Sequence, residues 1–244
     1  MPNVIITGSS RGIGLAAAKR FAREGFSVAF NCINNEHKMN REIEQLQQTE
    51  TIKGRFYGEA ADVSDFHKAL SYVKNAENAL GDTDVLVNNA GVEYFGLFQD
   101  MKPTEWERLM AVNFYSALNC CHAVIPGMVA RKRGVIINIS SIWGQTGASC
   151  EAVYAASKGA LEAFTRSLAK ELGPSGIRVN AAAFGAIDTE MNSRLSETEK
   201  NAFEQNTALM RFGTVEEASE MIWFLASDAS AYMTGEIVNL SGGL

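Results

Sequence analysis

Proline, histidine and cysteine are all scarce in this 244-residue chain, and each scarcity removes a class of explanation. There are only four prolines, no Ser/Gly-rich stretch and no long run of one charge, so nothing reads as a linker. Residues 1–244 are therefore expected to form a single domain, with no internal repeat. His37, His67 and His122 are scattered without a carboxylate-flanked pattern, and no protein-bound metal is expected. Cys32, Cys120, Cys121 and Cys150 have neither CxxC nor metal-ligand spacing, and such thiols suit a reduced, cytoplasmic compartment. Positive charge is also short: 22 Lys+Arg against 28 Asp+Glu leave a net charge of −6, which argues against nucleic acid as a partner. No apolar run reaches the roughly 18 residues of a membrane span, and with the strand-like Val4-Ile5-Ile6 so close to Met1 no signal peptide is expected. No membrane association is expected.

What is present is apolar sequence, 46% of the chain, in short runs that alternate with helix-length segments. Strands are expected at Val4–Thr7, Ser27–Asn31, Arg55–Ala61, Asp84–Asn88, Val135–Ser140, Arg178–Ala182 and Ile237–Leu240. Helices are expected at Gly12–Glu24, Glu36–Gln48, Ser64–Leu80, Thr104–Ala130, Ala152–Leu172, Glu197–Gln205 and Val215–Ala226. The strands VIIT, VLVNN and VIINIS are apolar without alternation, as expected when helices cover both faces of a parallel sheet. The fold class is α/β, a doubly wound Rossmann-type parallel sheet with right-handed crossovers.

Thr7-Gly8-Ser9-Ser10-Arg11-Gly12-Ile13-Gly14 closes the first strand and opens the first helix. Glycines there let backbone approach a pyrophosphate, whose charge is favoured at a helix N-terminus. An NAD-preferring site of this kind carries an acid at the end of the second strand. Here that strand ends Phe30-Asn31-Cys32, while Arg11 in the glycine loop can reach a 2′-phosphate, so NADPH is expected over NAD.

Tyr154 and Lys158 are four apart in a helical segment and share one face. A free phenol has a pKa of about 10; a nearby ammonium is expected to bring it towards working pH. Ser141, thirteen residues before the tyrosine at a strand end, can bind the same oxygen. The set suits proton transfer to or from a carbonyl oxygen.

With these pieces assembled, the chain resembles the short-chain dehydrogenase/reductase family over essentially its whole length. The matching motifs are TGSSRGIG at 7–14, Asp62-Val63, Asn88-Asn89-Ala90-Gly91, Asn113, Ser141, Tyr154-Ala-Ala-Ser-Lys158, Ile187-Asp188-Thr189 and Ser241-Gly242-Gly243. The resemblance implies that Gly8, Ser9, Ser10, Arg11, Gly12, Ile13 and Gly14 hold the phosphates. It places Asp62 and Val63 at the adenine, and Asn31, Asn89, Ala90, Gly91 and Gly185 along the groove. Ile187 and Thr189 would bind the carboxamide, and Lys158 and Tyr154 the nicotinamide ribose. Asn113, Ser141, Tyr154 and Lys158 form the implied catalytic set, with Asn113 holding a relay water. Ser140 reads as structural. One departure is Phe184-Gly185 where the family usually has Pro-Gly.

For the substrate, residues 189–212 read as a mobile lid, lined by Met191, Leu195, Phe203, Leu209 and Met210, with Tyr94, Trp143 and Cys150 as pocket walls. The overall pattern is most similar to the 3-oxoacyl-acyl-carrier-protein reductases, which would make Arg131-Lys132-Arg133 a basic patch for an acidic carrier. Ser175 and Glu93 depart from that group. Residues 140–151, SSIWGQTGASCE, resemble instead the reductases that finish the 5-aminopentanol modification of elongation factor P. Glu151 and Glu93 would then meet a substrate ammonium. A third reading is a non-catalytic NADP-binding regulator or scaffold. The family resemblance also implies a homotetramer built through the helices at 104–130 and 152–172.

Overall fold

The computed structural model describes residues 1–190 and 196–244. Among them, strands β1 Asn3–Ile6, β2 Ser27–Cys32, β3 Phe56–Ala60, β4 Val85–Asn88, β5 Gly134–Ser141, β6 Ile177–Phe184 and β7 Ile237–Leu240 form one sheet. Its order is β3-β2-β1-β4-β5-β6-β7 and every neighbouring pair is parallel. The helices are α1 Gly12–Arg23, α2 Glu36–Gln47, α3 Phe66–Leu80, α4 Pro103–Met110, α5 Ser116–Arg131, α6 Trp143–Thr146, α7 Ala152–Leu172, α8 Glu197–Asn206 and α9 Val215–Ala226. The doubly wound α/β expectation holds.

Apolar side chains on both faces of the central strands explain this. Val4 and Ile6 join one core cluster and Ile5 the other; Val85 and Val87 are likewise parted from Leu86, and Ile137 and Ile139 from Ile136. The first cluster is closed by Phe21 of α1, Met39 of α2 and Ile222 and Leu225 of α9. The second is closed by Tyr72 of α3, Val124 and Met128 of α5 and Leu168 and Leu172 of α7. A strand with a helix layer on each side has no polar face to show, so its sequence runs unbroken through Val, Ile and Leu.

Local signals set several helix starts. The Asp65 carboxylate accepts the Lys68 N–H at 2.9 Å, starting α3 at Phe66 rather than at Ser64. Thr214 and Glu217 form a capping box that opens α9. β6 is longer than its apolar core suggests, because its last residue pairs with both Ser141 and Leu240. The short helix α6 had no periodic signal to announce it.

The segment expected as one helix over 104–130 is continuous from Pro103 to Arg131, but a π turn at Ala111–Tyr115 joins α4 to α5. An 18-residue window of this 29-residue helix has a mean hydropathy of 1.2, enough by length and composition alone to cross a membrane, a test that the core helix of a folded domain also passes. Its inner side, with Leu109, Val112, Ala117, Cys120, Cys121, Val124 and Met128, is buried in the fold.

Candidate active site

The sheet order reverses between β1 and β4, and connections leave this junction towards opposite faces. Two side chains hold the junction closed. Thr7 Oγ1 accepts the N–H groups of Asn89 and Ala90, each at 3.0 Å. Asn89 Nδ2 donates back to the carbonyls of Thr7 at 2.9 Å and Gly8 at 3.0 Å. Above it opens a cleft of about 410 Å³.

Glycine is required twice in this loop. Gly8 has φ +63°, and a Cβ there would stand 3.0 Å from Ala90 Cα. A Cβ on Gly14 would stand 2.5 Å from both the Gly8 carbonyl and Asn89 Nδ2. The loop is thereby pressed against β4, leaving a side-chain-free cradle at the start of α1, which fits the pyrophosphate of a dinucleotide. Gly8, Ser10, Arg11, Gly12 and Ile13 line the cleft. Ser9 is fully buried and works as a clip: its hydroxyl donates to the Ile6 carbonyl at 2.8 Å and accepts the Asn31 N–H at 3.0 Å.

Asn31, Cys32, Ile33, Asn34 and Asn35 wall one end of the cleft without an acid. Asn31 accepts the Gly8 N–H at 3.3 Å and donates to the Ala61 carbonyl at 3.0 Å. Across from it, Glu190 receives Arg11 at 3.0 Å and Lys38 at 2.6 Å. These hydrogen bonds from Lys38 and Arg11 hold the Glu190 carboxyl below its ordinary range. Asp62 also lines the cleft. Burial pushes its pKa up, but hydrogen bonds from Ser64 and Arg108 outweigh this and leave it lowered.

Ser141, Tyr154 and Lys158 line the other end, with Gly91, Phe184, Gly185, Ile187 and Thr189 around them. Lys158 is only 4% exposed, and its ammonium donates to the Ile139 carbonyl at 2.8 Å. Loss of water lowers its pKa to about 8. Its Nζ lies 5.7 Å from the Tyr154 ring centroid. Burial pushes the Tyr154 phenol up; a hydrogen bond with Ser141 opposes this, and Glu151 and Glu93 push it further up. The expectation that Lys158 depresses this pKa is not met in the chain alone, where desolvation dominates and the two carboxylates add to it. Asn113, in the π turn, accepts the Val92 N–H at 2.8 Å and donates to the Val92 carbonyl at 2.9 Å and to Ser157 at 3.1 Å. Its side chain thus fastens the β4 loop to α7 behind the cleft wall.

Glu93 and Glu151 are half-buried and close enough to Tyr154 to shift its titration. Glu151 is the residue before α7, and the Gly96 N–H bonds to the Cys150 carbonyl at 2.9 Å, joining the two loops that carry these acids. Trp143 begins α6, and its N–H donates to Ser141 Oγ at 3.3 Å. Of the expected lid, Met191 and Leu195 lie outside the described residues. Its start is stitched down, with Asp188 N–H to the Gly213 carbonyl at 2.8 Å, while α8 buries no residue. Arg131 and Arg133 are ion-paired with Asp82 and Asp84 at 3.2 and 2.9 Å. They sit at the start of β5, the sheet end opposite Ser141.

The family model described as Enoyl-(Acyl carrier protein) reductase matches residues 8–244. The 3-oxoacyl-[acyl-carrier-protein] reductase FabG of Chlamydia trachomatis is 39% identical over 241 residues, covering 98% of this chain and 96% of that protein. The chain belongs to the short-chain dehydrogenase/reductase family. Nodulation protein G of Azospirillum brasilense is 36% identical over 240 residues, 98% of this chain and 96% of that protein. A crystal structure of a 3-oxoacyl-[acyl-carrier protein] reductase from Brucella melitensis superposes with a TM-score of 0.93 at 35% identity, covering 100% of this chain and 91% of that one. A second Brucella melitensis reductase structure, with NAD bound, gives 0.91 at 35% identity, covering 100% and 90%. The chain is thus an oxidoreductase of a family that uses nicotinamide dinucleotides.

Glu190 and Glu162 were missed by the sequence reading. Glu162 had a local signal, since it continues the four-residue spacing of Tyr154 and Lys158. Glu190 had none, being 179 residues from Arg11.

The buried lysine gives a pH-dependent stability with a definite sign. Its folded pKa of about 8 lies below the unfolded 10.5, so between these values the unfolded chain binds the extra proton. Stability therefore rises with pH across that window. Urea unfolding should show the wild type gaining stability relative to Lys158→Met from about pH 8 to about pH 10; the buried thiols and phenols, whose raised pKa values act the other way, are common to both proteins and cancel in the difference.

Proposed function

We propose that this protein is an NADPH-dependent carbonyl reductase acting on 3-oxoacyl-type ketones. The supporting observation is that Ser141, Tyr154 and Lys158 stand in the wall of the same cleft as the glycine loop. A reduced nicotinamide, when bound in that cleft, would supply the hydride for the carbonyl carbon. The Ser141 hydroxyl hydrogen-bonds the carbonyl oxygen, and Tyr154 gives its proton to that oxygen as it becomes an alkoxide. A raised phenol pKa suits this direction, because the tyrosine must arrive protonated. Lys158 lies on the same side and balances the phenolate left behind. The proton-relay role of Asn113 falls to its main chain, because its side chain is committed to Val92 and Ser157. Tyr154→Phe should lower kcat/KM by about 10²–10⁴-fold, far more than it weakens dinucleotide binding. Turnover close to normal would remove the assignment.

NADPH is favoured by charge. Arg11 and Lys38 already gather an anion, Glu190, at the end of the cleft where the second strand finishes without an acid of its own. A 2′-phosphate carries more charge than a carboxylate and offers more acceptors to the same two cations. Arg11→Ala should weaken NADPH binding by about ten-fold or more and change NADH binding little, read by nicotinamide fluorescence. Equal weakening of both, or a clear wild-type preference for NADH, would reject this reading.

A second reading concerns the substrate. Glu93 and Glu151 bring negative charge close to the Tyr154 hydroxyl, which favours a ketone bearing an ammonium group, as in the 5-aminopentanone modification of elongation factor P. Glu151→Gln assayed against an acetoacetyl thioester and an amino-ketone separates the two. Loss confined to the amino-ketone supports charge recognition; equal loss for both removes it.

A further inference from the structure

Alternation along β5 points Asn138 and Ser140 at α7. Asn138 Nδ2 donates to Thr165 Oγ1 at 2.8 Å, and Ser140 Oγ donates to Glu162 Oε1 at 2.9 Å. Glu162 is only 2% exposed, a carboxylate removed from water beneath the catalytic strand end. It lies one helical turn beyond Lys158, itself one turn beyond Tyr154. Three consecutive residues of β5 are thereby tied to three positions on one face of α7. The Ile139 carbonyl meets Lys158, the Ser140 hydroxyl meets Glu162, and the Ser141 hydroxyl meets Tyr154.

The same carboxylate also orders the turn that follows Ser141. Gln145 Nε2 of α6 approaches Glu162 Oε1 at 3.5 Å and donates to Asn239 Oδ1 at 2.8 Å, and Asn239 returns a bond to Gln145 Oε1 at 3.2 Å. A Cβ on Gly144 would stand 2.9 Å from Glu162 Oε1 and 3.0 Å from the Lys158 main chain, so α6 sits directly on this part of α7. Arg166, 3.7 Å away and half-exposed, supplies the compensating charge. Nothing in this network touches the reacting atoms.

We infer that Glu162 is a positioning residue: through Ser140 and α6 it fixes the Ser141 hydroxyl against Tyr154. The inference rests on the carbonyl-reductase reading of Ser141 and Tyr154. The physical basis is orientation. A buried acceptor that loses its donor, or the reverse, costs enough to shift the local backbone, and a displacement of about 1 Å at a catalytic group lowers rate by about 10²-fold.

The test uses steady-state reduction of an acetoacetyl thioester by wild type, Ser140→Ala, Glu162→Ala, Glu162→Gln and the Ser140→Ala/Glu162→Ala double variant. Dinucleotide Kd and Tm are measured on each. Ser140→Ala and Glu162→Ala should each lower kcat by about 10–100-fold with the dinucleotide Kd unchanged. The double variant should be no slower than the worse single one, because both changes break one link. Glu162→Gln, whose amide oxygen still accepts from Ser140, should recover most of kcat. A lowered Tm with kcat within about two-fold of wild type would make Glu162 merely structural and overturn the inference. Multiplying losses in the double variant would overturn it too. Should Glu162→Ala not fold, Ser140→Ala and Glu162→Gln decide the matter, since a full-rate Ser140→Ala is incompatible with the proposed route. A fully active Tyr154→Phe would instead overturn the underlying reading of the site, and is distinguishable for that reason.

Discussion

Lys158 exchanges its water for the carbonyl of Ile139, and the catalytic end of the molecule is organised around that exchange. An ammonium buried to this degree is costly unless its donors are used, so α7 has one docking position on β5 in which the cost is met. Tyr154 and Glu162, one turn to either side, are carried to their partners by the same placement. The glycine loop has an equivalent constraint at the other end of the cleft: Gly14 must be without a side chain for the loop to rest on Asn89. The two constraints meet across the β1–β4 junction, and the cleft is the space left between them.

Much of the framework was readable from residue order. Unbroken apolar strands implied two covered faces, and both core clusters are there, each taking alternate residues of the same strands. The glycine spacing and the Tyr154–Lys158 interval are local patterns, and local patterns survive without knowledge of the fold. What was not legible is pairing over distance. No sequence rule brings Glu190 to Arg11 and Lys38, whereas Glu93 and Glu151 were expected at the substrate site and both act on the Tyr154 phenol. The phenol was expected to be acidified because its cationic neighbour was visible four residues away, whereas its desolvation, the largest effect on it, was not.

The π turn belongs to the same class. The sequence over Met110–Ser116 is ordinary helix, and nothing in its composition marks an extra residue in the turn. Its effect is nonetheless specific, because Asn113 lands where it can bind the Val92 main chain in both directions and still reach Ser157. Asymmetry of charge along the sheet was also hidden. Arg131 and Arg133 read as free basic residues in sequence, yet each has an aspartate from the Asp82–Asp84 turn beside it.

Cys120 and Cys121 lie in the core with thiols pushed far up by burial, the latter to about 12, and Cys32 is buried with its thiol also raised. Cys150 alone among the four is half-exposed, on the loop that meets Gly96 beside the mouth of the cleft. A thiol-directed fluorophore or spin label applied to the native chain will therefore report from one address. The protein comes with a built-in attachment point on one of the two loops that the Gly96–Cys150 hydrogen bond joins, with no cysteine removed beforehand.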